Sequence, residues 1–219
     1  MGESPKFVFN VGSPSIDMIY RKQIISKNNL EKKYKIKFTG NDILLIQHPI
    51  TTEPEKSKNQ ISVLIEGILK TKQTVFAIAP NSDAGNNEIF QTLELLSKKY
   101  FKFYLFKNIK REDYLGFLKY AGVLIGNSSS GIVEAAYLNT HVINIGIRQK
   151  DRESDSNVHH IENPTSQIIE KTINKILKSN KEKTKNHFIY GKGNSCSKIL
   201  KILEEIKFNE KLIQKQIEY

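Results

Sequence analysis

The sequence predicts an α/β fold built on a doubly wound parallel sheet of the Rossmann-like kind, and three observations support this. Short runs of apolar and β-branched residues recur along the chain. Segments whose apolar residues repeat with helical spacing separate these runs, as in successive βαβ units. The runs are almost continuously apolar, which is typical of parallel strands covered by helices on both faces.

The same patterns place each element in order. In the helix predicted at 88–99, for example, Ile89, Leu93 and Leu96 share one face. A charged hinge is expected at 178–186, a last helix at 195–206, and a tail to Tyr219. The predicted strands are 43–48, 75–79, 103–106, 123–125, 142–145 and 158–161, and the helices among them are 54–70, 88–99, 111–120, 131–138 and 164–177.

Composition excludes several classes of protein. The 219 residues include one cysteine, Cys196, which excludes an intramolecular disulfide framework and a cysteine-based zinc site. No apolar run approaches the roughly 20 residues of a membrane-spanning helix, and the N-terminus lacks a secretory pattern. We therefore expect a cytoplasmic protein that does not bind a membrane.

The net charge of +11 is the unusual global property. It is compatible with a nucleic-acid surface, an anionic substrate, or no specific function. Most of the 34 basic residues are lysines scattered among acids and asparagines, without an arginine-rich tract. This pattern favours a solvated surface, and we predict no nucleic-acid partner.

Function is expected at the carboxyl ends of the strands, where doubly wound sheets bind their ligands. The segment GNSSSG at 126–131 ends one strand and leads directly into a helix. Its small residues, hydroxyls and helix N-terminus favour a phosphate. The alternative is an ordinary serine N-cap. Glu134, three residues further, could cap the helix or accept hydrogen bonds from ribose hydroxyls.

Three other strand ends carry polar residues. His48 precedes Pro49 and could act as a general acid or base, or could simply hydrogen-bond its own loop. Residues 80–86 could be a tight turn, and the arginines of 146–153 could meet phosphates or only solvent. The chain lacks a P-loop and a dinucleotide fingerprint, so a nucleotide sugar or another phosphorylated ligand is the leading hypothesis.

At these motifs the chain resembles the UDP-N-acetylglucosamine 2-epimerase family, and more closely its hydrolysing branch, which serves synthesis of sialic- and legionaminic-acid-type sugars. Six motifs in order carry the resemblance. They are NVGSP at 10–14 with Asp17, HP at 48–49 with TTE at 51–53, PN at 80–81 with DAG at 83–85, GNSSSG at 126–131 with Glu134, NIG at 144–146 with RQ at 148–149, and YG at 190–191 with GN at 193–194.

The resemblance implies an architecture in which the chain forms the C-terminal half of a GT-B-type fold. Residues 1–39 would then be a connecting segment from an N-terminal domain that is absent here, 40–186 the UDP-binding Rossmann-like domain, and 187–219 a C-terminal helix and tail. The family's catalytic carboxylates lie largely in the first domain. An N-terminal catalytic domain acting in trans, or a homo-oligomer, is therefore implied as partner.

The resemblance also implies a reaction and a set of roles. UDP is eliminated from a UDP-sugar across C1 and C2, and water then adds with inversion at C2, releasing N-acetylmannosamine or an analogue. No metal or redox cofactor is implied. His48 would be catalytic and assist departure of UDP. The implied UDP-binding residues are Asn127, Ser129, Ser130, Gly131, Glu134 and Arg148, and the candidate cleft contacts are Asn81, Asp83 and Arg152.

Two alternative functions share these features. A solitary domain could hold a UDP-sugar without turnover, and half of a GT-B glycosyltransferase could transfer the sugar. The His48-Pro49 motif and the loop from Gly146 to Arg152 favour the epimerase over the transferase. Within that loop, Asp151 stands where the family usually has glycine.

Overall fold

The computed structural model describes residues 3–21, 24–179, 187–207 and 209–213. These residues form one six-stranded sheet in which every neighbouring pair of strands is parallel. The strand order is β3-β2-β1-β4-β5-β6, which confirms the doubly wound fold. The strands are β1 (Ile43–Ile46), β2 (Val75–Ile78), β3 (Phe103–Phe106), β4 (Val123–Gly126), β5 (Val142–Ile145) and β6 (Val158–Ile161).

The central strands are apolar at consecutive positions because both faces of the sheet are covered. Every residue of β1, β4 and β5 is buried. Ile43 pairs with Val75 on one side and with Val123 on the other, so β1 lies at the centre of the sheet. The expected strand 43–48 ends at Ile46, and Gln47 and His48 leave the sheet.

Three long helices pack on one face of the sheet. They are α3 (Ser57–Lys70), α4 (Asn86–Lys99) and α7 (Ser166–Ser179). Their apolar stripes, which include Ile61, Leu93 and Ile173, join alternate strand residues such as Leu45 in one buried cluster. The helices predicted at 54–70, 88–99 and 164–177 are thus confirmed within about two residues at most ends. The exception is the start of the first helix, where Pro54–Lys56 forms a separate 3-10 turn.

The opposite face carries α2 (Lys27–Tyr34) and α5 (Arg111–Tyr120). Phe117 of α5 packs edge-on against Phe76 of β2, with ring centroids 5.4 Å apart. Asp113 of α5 accepts hydrogen bonds from Lys33 and, at 2.8 Å, from Tyr34 of α2. The helix α5 is therefore fixed both to the sheet and to α2.

The helix predicted at 131–138 was wrong in its extent. The structure has a short α6 (Ser129–Val133), followed by turns as far as Asn139. The N–H groups of Leu138 and Asn139 bond to carbonyls three residues earlier, and Asn139 is left-handed with φ 59°. These turns reverse the chain within a few residues, so that it can enter β5.

The N-terminal stretch, predicted as a connecting segment, contains α1 (Pro14–Tyr20) and α2, which that interpretation did not anticipate. Asp17 of α1 accepts hydrogen bonds from the backbone N–H groups of Ser195 and Cys196. These two residues open α8 (Ser195–Glu205), which confirms most of the helix predicted at 195–206. The N-terminal and C-terminal segments are thus joined.

The chain after α7 is described in part. Lys178 and Ser179 of the predicted hinge end α7, and the remainder of that hinge, 180–186, lies outside the described residues. Asp155 accepts hydrogen bonds from the N–H groups of His187 and Phe188, at 2.7 and 2.8 Å. The segment ends with α9 (Glu210–Ile213), and the predicted tail beyond 213 is not described. Among the described helices, none is long and apolar enough to cross a lipid bilayer.

Candidate functional site

The site lies between β1 and β4, where the strand order reverses. Doubly wound sheets leave a crevice at this point, at the carboxyl ends of the strands. His48 and Asn127 follow these two strands closely and face each other. The N–H of His48 donates to Asn127 Oδ1, and Asn127 Nδ2 donates to the carbonyl of His48, both at 2.8 Å. Asn127 is fully buried, so its side chain acts as a rigid brace between the strands.

A glycine makes this close approach possible. Gly126, the last residue of β4, has φ 132°, which side-chain-bearing residues rarely adopt. A Cβ atom at this position would overlap the carbonyl oxygen of Ile46 on the neighbouring strand. The glycine therefore allows β4 to end against β1 and to turn sharply into the serines.

The serine turn is an N-cap as well as a cleft wall. Ser128 is the N-cap of α6, and its Oγ accepts a 3.4 Å hydrogen bond from the N–H of Ser130. Gly131 lies against the sheet, because a Cβ there would be 2.9 Å from Val142 Cγ1. The capping alternative is thus confirmed for Ser128, while Ser129 is exposed and Ser130 half-buried.

A cleft of about 430 Å³ opens beside this turn. Its wall combines hydroxyl-bearing residues with apolar residues of two strand ends, Ile46 and Ile78. Ser13 and Ser15, at the start of α1, form part of its wall, and their hydroxyls are 2.9 Å apart. The described residues that line it are Ser13, Ser15, Ile46, Ile78, Arg111, Tyr114, Ser128, Ser129, Ser130, Val133 and Glu134.

Two cleft residues from the first turn of α5 were missed by the sequence analysis. Arg111 directs both terminal guanidinium nitrogens at the carboxylate of Glu134, with Nη1 3.3 Å from Oε2. The hydroxyl of Tyr114 donates to Ser130 Oγ. The sequence offered one signal for these residues, since α5 begins shortly after the end of β3. Only the crossover from β3 to β4 brings that start to the serine turn.

Beside the cleft, His48 is held in one tautomer. Its Nδ1 accepts a 3.1 Å hydrogen bond from the N–H of Asn81, so a neutral ring carries its proton on Nε2. Burial and the nearby Arg148 lower the pKa of His48 from 6.5 to about 4, against a smaller opposing effect of Asp83. The imidazole is therefore neutral at pH 7 and offers an N–H donor.

Asn81 and Asp83 form the turn that supports this histidine. Asn81 Nδ2 donates to Asp83 Oδ2 at 2.5 Å, and Asp83 in turn accepts from Asn86 through its carbonyl. The tight-turn interpretation of this segment therefore holds, and the turn also supplies the backbone N–H that orients His48.

The arginine loop contributes one of its two candidates. Arg148 Nη1 and Gln149 Nε2 both donate to the carbonyl of Asn127, at 3.2 and 3.0 Å. Asp151 has φ 62°, the left-handed conformation that glycine adopts most easily. Arg152 is exposed, and neither arginine of this loop is among the described residues that line the cleft, so the contact with Asn127 is what ties Arg148 to the site.

The structure thus assembles the predicted residues in two adjoining groups. One is the serine cleft with Ser129, Ser130 and Glu134. The other is the histidine group, with His48, Asn81, Asp83 and Arg148, and Asn127 joins the two. Hydroxyls, an imidazole N–H and a guanidinium at one edge of a sheet can hold an anionic ligand, and the buried carboxylate can accept hydrogen bonds from hydroxyls.

Comparisons with known proteins identify relatives of this chain. The family model described as UDP-N-acetylglucosamine 2-epimerase matches residues 1–204. The chain is 30% identical over 216 residues to the UDP-N,N'-diacetylbacillosamine 2-epimerase (hydrolyzing) of Legionella pneumophila, covering 98% of this chain and 56% of that protein. It is 35% identical over 185 residues to the GDP/UDP-N,N'-diacetylbacillosamine 2-epimerase (hydrolyzing) of Campylobacter jejuni, covering 82% and 48%.

Solved structures of UDP-GlcNAc 2-epimerases share the fold of this chain. The UDP-GlcNAc 2-epimerase of Methanocaldococcus jannaschii, solved with UDP-GlcNAc and UDP, superposes with a TM-score of 0.70 at 15% identity, over 93% of this chain and 56% of that one. The fold is that of the C-terminal half of a GT-B-type protein. The chain spans about half the length of the curated relatives it matches. With a family model covering most of its length, this chain belongs to the UDP-N-acetylglucosamine 2-epimerase family.

Proposed function

We propose that this chain is the UDP-binding half of a hydrolysing UDP-sugar 2-epimerase. The observation that carries the proposal is the cleft at the strand-order reversal, which is lined by a serine turn and a buried carboxylate, with an oriented histidine held beside it by Asn127. Each of these matches one part of a nucleotide sugar: the diphosphate, the ribose and the bond that breaks.

The diphosphate is assigned to the serine turn. Ser129 and Ser130 would donate their hydroxyls, and the backbone at Gly131 would allow close approach. Arg148 adds a permanent positive charge on the other side of Asn127. Hydrogen bonds from several donors and a guanidinium are a typical environment for a phosphate that stays charged throughout a reaction.

The ribose is assigned to Glu134. Its carboxylate lines the same cleft and is only 5% exposed as a residue. Each carboxylate oxygen has two acceptor sites, so the contact with Arg111 leaves positions for two ribose hydroxyls. A ligand that carries both a diphosphate and a ribose can therefore bind along one wall.

The histidine is assigned to the leaving group. In the proposed reaction a base removes the proton from C2, the C1–O bond to UDP breaks, and the electron pair leaves with the diphosphate. Nε2–H of the neutral His48 donates a hydrogen bond to that oxygen as negative charge develops on it. Addition of water across C1 and C2, with inversion at C2, then completes the hydrolysis.

The groups that remove and return the C2 proton are assigned to an N-terminal domain, supplied in trans or by a longer chain. The lengths of the relatives support this, because the aligned region is 56% of the Legionella protein. The relatives' names support a 2-acetamido UDP-sugar as substrate, either UDP-N-acetylglucosamine or a diacetamido analogue. We place the product in cytoplasmic synthesis of sialic-acid-type sugars for cell-surface polysaccharide.

The test is to measure UDP binding by the chain and UDP release from UDP-N-acetylglucosamine. We expect the chain alone to bind UDP, and release to occur when the N-terminal domain of a relative is added. Binding without release in the mixture would favour a non-catalytic UDP-sugar-binding domain. Absence of UDP binding would contradict the proposal altogether.

A further inference from the structure

The first turn of α5 touches both groups that are assigned to the nucleotide. Arg111 meets Glu134, the proposed ribose acceptor, and Tyr114 meets Ser130, a proposed phosphate donor. Both contacts reach from α5 to the segment after β4. The two residues are three positions apart on α5, so their side chains leave the same face of the helix.

The contact between Arg111 and Glu134 fixes the direction of the carboxylate. Both terminal nitrogens of the guanidinium face the two carboxylate oxygens. A planar fork of this kind orients a carboxylate in a way that a single ammonium cannot. The side chain of Glu134 is 7% exposed and that of Arg111 is 34% exposed. The carboxylate is therefore buried on the protein side and available only from the cleft.

The contact between Tyr114 and Ser130 fixes the direction of a hydroxyl proton. Because the Tyr114 hydroxyl donates to Ser130 Oγ, the proton of Ser130 must point elsewhere. The two directions open to it are Ser128 Oγ, 3.0 Å away, and the cleft. An anion in the cleft would attract this proton more strongly than a neutral hydroxyl does.

The two contacts are connected to each other. The guanidinium carbon of Arg111 lies 5.4 Å from the centroid of the Tyr114 ring, in cation–π geometry. Movement of either side chain would therefore disturb both ligand-binding groups.

We propose that Arg111 and Tyr114 are positioning residues of the nucleotide site: Arg111 orients Glu134 for the ribose hydroxyls, and Tyr114 orients Ser130 as a donor to the diphosphate. The inference rests on the proposed function, since it takes Glu134 and Ser130 as the groups that bind the nucleotide. Arg111 and Tyr114 touch these residues and not the reacting atoms, so their role is to position them. It predicts selective losses of affinity, each confined to one part of the ligand.

The experiment for Arg111 compares the affinity for UDP with that for 2′-deoxy-UDP by calorimetry. Removal of the 2′-hydroxyl should cost the wild-type chain about tenfold in affinity, the value of one hydrogen bond to a charged group. In Arg111→Met and in Glu134→Gln this preference should fall to about twofold or less, with affinity for the deoxy ligand almost unchanged. Arg111→Lys, which keeps the charge but lacks the fork, should recover only part of it.

Lys98→Met is the matched control, because it removes an exposed ion pair with Glu94 on α4. It should leave the preference at its wild-type value. An Arg111→Met variant that keeps the tenfold preference, or that loses affinity equally for both ligands, would overturn the role given to Arg111. A wild-type chain that binds neither ligand would instead overturn the proposed function.

The experiment for Tyr114 compares UDP with uridine, which lacks the diphosphate. Tyr114→Phe keeps the ring and removes the donor, so it should reduce the UDP-to-uridine affinity ratio several-fold. Ser130→Ala should reduce the same ratio, and the double variant should lose little more than Ser130→Ala alone. Full additivity, or an unchanged ratio in Tyr114→Phe, would contradict the role of this hydroxyl.

Discussion

At the scale of single residues, two of the three serines of the turn make different contacts. Ser128 is the N-cap of α6, whereas the Ser130 hydroxyl accepts a hydrogen bond from Tyr114, and both residues line the cleft. Both are serines in one run, and the sequence predicts either capping or phosphate binding for the whole run. The structure assigns the cap to Ser128, because only one residue at a helix terminus can take the extended N-cap conformation.

This difference gives a prediction with an internal control. Ser130→Ala and Glu134→Ala should each weaken UDP binding by about tenfold or more, the value of a hydrogen bond to a charged group, and should change thermal stability little. Ser128→Ala should instead lower the free energy of unfolding by about 1 kcal/mol through the lost cap. Calorimetry and urea titration measure the two effects. The reverse pattern, stability lost at Ser130 with binding intact, would favour a purely structural turn.

A second prediction concerns the ionisation of His48. NMR titration of its ring should give a pKa well below 6.5, near 4, because burial and Arg148 disfavour the imidazolium. Addition of UDP should raise this pKa, since the negative diphosphate offsets the charge of Arg148. In the unfolded chain this histidine takes up its proton near pH 6.5, whereas in the folded chain it does so only near pH 4. The free energy of unfolding therefore falls as the pH drops from about 6.5 towards 4. Arg148→Met should raise the pKa in the free protein, and an unshifted pKa near 6.5 would contradict the buried, oriented ring.

At the scale of elements, the sequence pattern located the strands well and the short connections poorly. The strands β1 to β6 were predicted within two residues at each end, because short runs of apolar and β-branched residues mark them both at the buried centre of the sheet and at its more exposed edges. The helices α1 and α2 were missed because they are only seven and eight residues long, too short for a clear helical repeat, and α6 was predicted too long. Tertiary contacts stabilise α1 and α2: Ile16 lies in a buried cluster with Leu115, and Leu30 lies in another with Phe117, both residues of the distant α5.

The attachment of α8 gives a prediction at this scale. Burial raises the pKa of Asp17, but the hydrogen bonds from Cys196 and Ser195 prevail and lower it below 3.8. The carboxylate therefore stabilises the fold at neutral pH, and this contribution declines as the pH falls below about 4, through the lower pKa of the folded state. Asp17→Asn should weaken the attachment of α8 at pH 7 and lessen the loss of stability on acidification.

Hydrogen exchange of the α8 amides measures the first effect, and urea titration at pH 7 and pH 3.5 measures the second. We expect faster exchange in α8 with that of the central strands nearly unchanged. Asn28→Asp on α2, which adds a carboxylate away from this contact, serves as a charge-changing control. Equal exchange in wild type and Asp17→Asn would mean that α8 is held by its apolar contacts alone.

At the scale of the whole molecule, the strand order decides where the residues of the candidate site meet. His48, Asn81, Asn127 and Arg148 follow four different strands, and the order β2-β1-β4-β5 places those strands side by side. Sequence reasoning could predict a common edge, since all parallel strands end on one side. It could not predict that Asn127 bonds to the backbone of His48, since that requires the register of β1 against β4.

The sequence by itself determined the fold class, the strand positions and most of the residues of the candidate site, because these depend on local periodicity and on motifs within a few residues. Only the tertiary structure decided that Arg111 and Tyr114 join the site, that Ser128 is the cap, that His48 is neutral and that Arg148 bonds to Asn127 while Arg152 is exposed. Those outcomes depend on contacts between distant segments. Such contacts follow from the crossover of α5 and from burial, which leave no local pattern in the chain.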